Sequence, residues 1–577
     1  MAAQSPPDKE RPIRRSDVVF MYDNPKRYEA YGCTVLGWAG WRKAKHIEQA
    51  HAKGVRRFSC SVGFLTEFKG AIDFDPNFLD AACRNFAGEP FIVPWLWDHK
   101  HKGKPAYWWC TNSPLYRRYL LSRLEQAMKV KPDGLHIDDY RGTSGSITWL
   151  EGGFCRHCMA AFRGYLKKNV PTEKLTKLGI VDLEAFDYRK FLVDRGVKPG
   201  DYKKRRARLP LADEFYHFQV MANNAWVAEY RKRAQELRGQ PVGLSVNSGA
   251  NNPHAIVIAP ELDNFCCEVG HGAAKRRPAT HPVYIYKIGD GLDRPICSTA
   301  SGHDWAFVHE HKVYGLVRSW TALSYAFGHT LMAPHRQWCY TKEKGTHWTD
   351  GPTEEYAWLY RWVHDNARLF DRYEAAAPVA VVYSNLANRK GRGKIEGLCV
   401  DLARANVPYT VVMAGDDWLP DHRLTKRQLD RFKAVVMTKT CELDARQQKL
   451  IDGVKADGRL VTWPDKAALA KLIGTPVAIE GATQVWAVPR AIPGDRKAPV
   501  MVHLLNRNYD AKNDAVVPQK GLALRLRRDL FGGRKLAKAT LHAPKTKPVA
   551  LELAADRQHT TVGIPELGLW AIIELDN

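Results

Sequence analysis

The chain has 577 residues, 87 Lys plus Arg against 62 Asp plus Glu, and a net charge of +25. That length exceeds what one hydrophobic core fills, so two to four domains are expected. No uninterrupted apolar run is long enough to cross a bilayer, and 12 cysteines in a chain of this size exclude a disulfide-stapled scaffold.

The positive charge would attract a polyanion, but it falls in separate clusters such as Lys203–Arg206, Lys275–Arg277 and Arg527-Arg528. Scattered clusters are the pattern of a solvated surface, and no basic-aromatic module accompanies them, so neither nucleic acid nor membrane is expected as a partner. The 18 tryptophans, many in predicted loops, point instead to carbohydrate, because an indole stacks on the apolar face of a sugar. The charge favours an anionic glycan.

In chain order, residues 1–17 are polar and Pro-containing and are expected to form a disordered leader. Ala2-Ala3-Gln4-Ser5 reads as a mature N-terminus left by a cleaved signal, which points to a periplasmic or secreted protein. Residues 18–372 alternate short apolar runs with amphipathic helical stretches. Strand candidates are Thr34–Trp38, Arg57–Val62, Phe91–Trp95, Gly134–Ile137, Val242–Val246, Asn264–Cys267, Pro295–Ser298 and Thr330–Ala333. Helical spacing marks Pro114–Met128, Asp213–Leu237 and Val313–Phe327 between them. Eight strands alternating with helices predict a (β/α)8 TIM barrel. A doubly wound open sheet is the alternative, without a Gly-rich phosphate turn to support it. Residues 373–474, with strands near Pro378–Tyr383, Tyr409–Met413, Lys433–Met437 and Arg459–Trp463, read as a small flavodoxin- or amidotransferase-like α/β domain. It carries no nucleophile elbow, so its expected role is structural. Residues 475–577 lose helical patterning and alternate instead, which predicts an antiparallel β-sandwich.

The richest segment is Asp133-Gly-Leu-His-Ile-Asp-Asp139, a short buried strand ending in two acids. Acids at the C-terminal tips of barrel strands stand where barrel enzymes do their chemistry, and glycosidic cleavage generally uses two carboxylates. The catalytic candidates are Asp138 and Asp139 after the fourth strand and Glu268 after the sixth. Strand alternation lets one aspartate of the pair face a substrate, and Asp138 is favoured. Substrate-binding candidates at the predicted strand ends are Trp38, Trp41, Glu67, Trp97, Asp98, His99, Asn247, His271, His303, Asp304, Trp305, His335, Arg336 and Trp338. Cys155-Arg-His-Cys158 is a lone Cys-x-x-Cys. Zinc needs two more ligands, which His157 or Cys33, Cys60, Cys110, Cys266 and Cys267 supply only through folding. Ordinary buried thiols are expected, with no metal and no cofactor.

Gly153–Leu166, with Cys155, Cys158, Phe162-Arg163 and Tyr165-Leu166, resembles the segment after the fourth strand in family 42 β-galactosidases and related barrel hydrolases. Pro378–Ser384 resembles the start of their α/β trimerisation domain, and a terminal β-domain completes the same order. The resemblance implies a glycoside hydrolase and a homo-oligomer, and in related hydrolases the Cys segment binds zinc. It departs at one place: those enzymes carry Asn-Glu after the fourth strand, where Asp138-Asp139 stands here. That pattern is similar to α-galactosidase- and fucosidase-type barrels, which implies a retaining enzyme with a strand-four Asp nucleophile and Glu268 as acid/base. A non-catalytic glycan-binding barrel is the alternative from another class.

Overall fold

A computed structural model describes residues 12–40 and 43–577. Eight strands form one parallel sheet in sequence order: β1 (Val19–Phe20), β2 (Val35–Ala39), β3 (Arg57–Gly63), β4 (Gly134–Asp138), β5 (Gly243–Val246), β6 (Asn264–Val269), β7 (Ile296–Ala300) and β8 (Thr330–Leu331). A parallel bridge between Phe20 and Ala333 links the end of the series back to its start. The sheet is thus a nearly closed eight-stranded barrel. Its strands are runs such as Val18-Val19-Phe20 and Leu135–Ile137, buried almost completely, as parallel strands covered on both faces require.

The strand register differs from the sequence reading at two places. Val19–Phe20 is the first strand, and the structured chain begins before residue 18: the Ser16 and Asp17 side chains are buried, held by Asp371 and Arg56 respectively. Residues 1–11 of the expected leader lie outside the described residues. Phe91–Trp95 is not a barrel strand. Pro94 opens a 3-10 turn, Pro94–Leu96, because proline fixes φ and removes the amide a ladder needs. Ile92 is 40% exposed. The two errors cancel, so Asp138 still ends the fourth strand and Glu268 still lies on the sixth.

Helices include α1 (Pro114–Met128), α2 (Gly142–Leu150), α3 (Arg156–Asn169), α4 (Ala212–Arg238), α5 (Gly302–His311) and α6 (Tyr314–Ala326). Helix α1 starts where Ser113 caps the Tyr116 amide and Pro114 occupies the first turn. After β8 comes an antiparallel hairpin, β9 (Arg336–Thr341) with β10 (Gly345–Asp350). A four-stranded parallel sheet follows, from β11 (Val379–Ser384), β12 (Tyr409–Ala414), β13 (Ala434–Thr438) and β14 (Leu460–Trp463), in the order β12-β11-β13-β14. Beyond it, a six-stranded and a four-stranded antiparallel sheet share one apolar core, with Val500, Val502 and Leu504 from one and Leu522, Leu524 and Val562 from the other.

The chain divides into two compact units. One comprises Met1–Gly37, Gln49–Arg57 and Gly249–Asn577; the other comprises Trp38–Glu48 and Phe58–Ser248. Among the described residues, no helix is long and apolar enough to cross a membrane.

Candidate active site

In the second unit, alternation along β4 sends His136 and Asp138 to one side of the strand. The His136 ring lies 4.1 Å from that of Trp38 on β2, and β2 and β4 are not neighbours in the sheet. That side of β4 is therefore the barrel interior, and Asp138 projects into it at the strand's C-terminal end. His136 Nδ1 is 3.0 Å from Ser245 Oγ, and burial keeps the imidazole neutral by pushing its pKa down to about 3.

Asn247 follows β5, with its amide donating to the Ile137 carbonyl at 3.1 Å. Its side-chain Nδ2 donates to Asp138 Oδ1, also at 3.1 Å. Burial pushes the Asp138 carboxyl up to about 6, while hydrogen bonds from Asn247 and the Asp139 backbone act the other way. Asp139 adopts a left-handed φ of 51° and turns the chain off the strand. The turn is held by Gly142 N–H donating to Asp139 O at 3.1 Å, Asn223 Nδ2 donating to Tyr140 O at 2.8 Å and Trp108 Nε1 donating to Gly142 O at 3.0 Å. A Cβ at Gly142 would strike Thr111, so only glycine fits there.

In the first unit, Glu268 is the penultimate residue of β6, half-buried and in register with Thr299 of β7. Cys266, two residues earlier on the same side, places its Sγ 3.6 Å from Met332 Sδ just beyond β8. β6 and β8 are separated by β7, so this side of β6 also faces inward. The loop after β6 is clamped by Asp304, whose Oδ2 accepts from His271 N and Ser301 Oγ, both at 2.8 Å, and whose Oδ1 accepts from Ala273 N at 2.7 Å. The Asp304 oxygens thus serve the loop. His271 donates Nδ1–H to Val269 O at 2.7 Å, and burial lowers its pKa to about 4. Trp305 is buried, its Nε1 donating to Thr299 Oγ1 at 2.9 Å. His335 is buried against Phe20 at 4.0 Å and leads into the hairpin that carries Arg336 and Trp338; His303 opens α5.

The other candidates lie elsewhere. Trp97, Asp98 and His99 sit on the long insertion between β3 and α1 and not at a strand end; Trp97 is 55% exposed, and His99 Nδ1 is 2.9 Å from Asp98 Oδ1. Glu67, on the same insertion, pairs with Arg123, and its burial raises its pKa against that pairing. Trp41 lies outside the described residues. Three aromatic residues that sequence reasoning passed over, Tyr22, Tyr340 and Trp348, gather around the hairpin. The signal for Tyr340 was its two-residue spacing from Trp338 on one strand.

The thiols of Cys110, Cys155 and Cys158 are buried together, 3.3–3.5 Å apart. Zinc–sulfur bonds of about 2.3 Å place the sulfurs of a tetrahedral site roughly 3.8 Å apart, so the three thiols would open by a few tenths of an ångström to take three corners of a zinc–thiolate centre. Among the described residues, no fourth His, Cys, Asp or Glu ligand atom completes this group.

No protein-family model matches the chain. It is 24% identical over 501 residues to an alpha-agarase of Thalassotalea agarivorans, covering 82% of this chain and 33% of that protein. It is 22% identical over 588 residues to an alpha-agarase of Alteromonas agarilytica, covering 96% of this chain and 39% of that protein. The chain therefore spans between about a third and two fifths of the length of these relatives. Among solved structures, alpha-L-fucosidase isoenzyme 2 from Paenibacillus thiaminolyticus matches with a TM-score of 0.59 at 12% identity, over 98% of this chain and 100% of that one, a likeness of fold.

Proposed function

We propose that the chain is a glycoside hydrolase that cleaves a polysaccharide of the agar class, the substrate named in its relatives. The observation that carries the reading is Asp138: an inward-facing carboxylate at the C-terminal end of a barrel strand, with one oxygen bonded to Asn247 and a pKa raised by burial. Perturbed carboxyl pKa values cluster at functional sites, where a group is tuned to its task by burial and neighbours. Glu268, inward on β6, supplies the second carboxyl.

The roles are those implied by the resemblance of the strand-four Asp to α-galactosidase- and fucosidase-type barrels. Asp138, ionised, attacks the anomeric carbon as the Glu268 carboxylic acid gives its proton to the departing glycosidic oxygen. The Glu268 carboxylate then takes a proton from water, which attacks the same carbon and releases Asp138 with net retention. Asn247 orients the nucleophile. No step uses a metal; zinc at the three thiols would be held by Cys110, Cys155 and Cys158, and would brace the start of α3.

The same reading includes an exported protein, a barrel over 18–372, a flavodoxin-like domain over 373–474 and a sandwich over 475–577. The β12-β11-β13-β14 order supports the middle assignment, since a 2-1-3-4 order is the flavodoxin-like one.

Sugar release from a panel of neutral and sulfated galactans tests the function. Wild type is expected to release oligosaccharides, and Asp138→Asn and Glu268→Gln to lose about 10²–10⁴ of that rate with unchanged circular dichroism. Full activity in both variants would remove the site assignment. Glycan binding without release by wild type would make the barrel a binding protein. Proton NMR of the first-formed anomer tests retention.

A further inference from the structure

The hairpin after β8 sorts its side chains by alternation. Gln337 and Cys339 point inward and are buried, 5% and 0% exposed. The opposite face presents Trp338, Tyr340 and Trp348, the last 47% exposed. The register sets Trp338 directly across from Trp348, and the Trp338 and Tyr340 rings lie 6.2 Å apart and nearly parallel.

Two other loops reach this face from the C-terminal ends of barrel strands. Tyr22, after β1, accepts from Trp348 Nε1 at 3.0 Å through its hydroxyl. His303, after β7, meets the Tyr340 ring edge-on at 5.2 Å. Gly302 lies against the Trp338 indole so closely that a Cβ there would overlap the ring. A cross-strand aromatic pair stabilises a hairpin by itself, which accounts for a Trp338–Trp348 pair. It does not account for a half-exposed indole whose orientation is fixed by a hydroxyl from a separate loop.

The chemistry of the face selects its occupant. Its residues are aromatic or polar, with Arg336 and Asp350 paired at its base at 3.1 Å and no aliphatic side chain among them. Flat apolar rings with hydrogen-bonding tips match a pyranose, which offers a C–H face ringed by hydroxyls. The position also fits, because loops at the C-terminal ends of barrel strands line the substrate site in barrel enzymes.

We propose that the outward face of the β9–β10 hairpin is a sugar-binding subsite, stacking a pyranose ring of the glycan on Trp348 and Tyr340. The proposal rests on the glycoside hydrolase reading and adds where that glycan is gripped.

The test uses the full chain and the galactan that wild type cleaves in the panel. Trp348→Ala and Tyr340→Ala are each expected to raise KM about five- to tenfold, the size of one aromatic contact, and Trp348→Phe to stay within about twofold of wild type. Oligosaccharide added to wild type should quench tryptophan fluorescence, and Trp348→Ala should lose most of that quench. Unchanged KM in both alanine variants, with unchanged Tm, would overturn the subsite. So would an equal defect in Trp348→Ala and Trp348→Phe with a lowered Tm, which would make the indole a structural anchor. A change in molecular mass by light scattering without a change in KM would assign the face to self-association and overturn it as well. If wild type neither cleaves nor binds any glycan, the hydrolase reading itself fails, an outcome distinct from all of these.

Discussion

At Asp138, burial and a single side-chain amide act in opposite directions on one carboxyl. Its pKa moves from the usual 3.8 to about 6, so in the nucleophile role proposed above it would work only above that range, and kcat/KM should climb as pH rises through 6. Asn247 donates to the charged form, which lowers the pKa; Asn247→Ala should therefore move the acid limb of the pH profile upward. Losing one hydrogen bond to a charged group should also lower kcat/KM near pH 6 by about tenfold. The same shift has a stability sign. The folded carboxyl holds its proton more tightly than the unfolded one, so its contribution is most favourable below about pH 4 and is lost as pH rises through about 6. The Tm of Asp138→Asn should exceed that of wild type at pH 7, by about 2 °C, and the gap should close at pH 4. Which aspartate faces inward was within reach of the sequence in outline, since alternation allows one of the pair. The choice needed His136 against Trp38, a contact between β4 and β2.

At the level of elements, loops are held by side chains that sequence reasoning had assigned to substrate. Asp304 secures three donors on the loops after β6 and β7. Replacing it with Ala leaves buried donors unsatisfied and should cost about 1–3 kcal/mol per group orphaned, read as a lower denaturation midpoint by urea titration with the catalytic pH profile unmoved. A shifted pH profile with an unchanged midpoint would instead place Asp304 on the substrate. The helices α1, α4 and α6 match the periodicity closely, because a long amphipathic face and a cap such as Ser113-Pro114 are local signals. Strands were less legible. Two-residue β1 carries too few positions for a period, and Phe91–Trp95 imitates a buried strand until Pro94 breaks it.

For the whole molecule, the net charge of +25 bears on what kind of glycan the chain would bind under the proposed function. Exposed charges are screened beyond a Debye length of about 10 Å at 0.1 M salt and about 3 Å at 1 M. If the substrate is sulfated, KM should rise at least about threefold between 0.05 and 0.5 M NaCl, and KM for a neutral galactan should stay level; equal behaviour of the two would show that the charge plays no part in binding. While the ranks of the Asp138 and Glu268 strands as fourth and sixth came out right because a missed strand and a false one offset each other, the sequence by itself determined the barrel, the β-rich C-terminal region and the placing of both residues at the ends of barrel strands. Those follow from hydrophobic periodicity and from the rule that barrel chemistry gathers at strand C-termini, both of which act along the chain. Only the tertiary structure decided that Cys110 joins Cys155 and Cys158, that Asp304 clamps a loop and that Tyr22, His303 and the β9–β10 hairpin share one aromatic face. Each joins residues far apart in sequence through packing, and no local propensity records which distant side chains a closing barrel brings together.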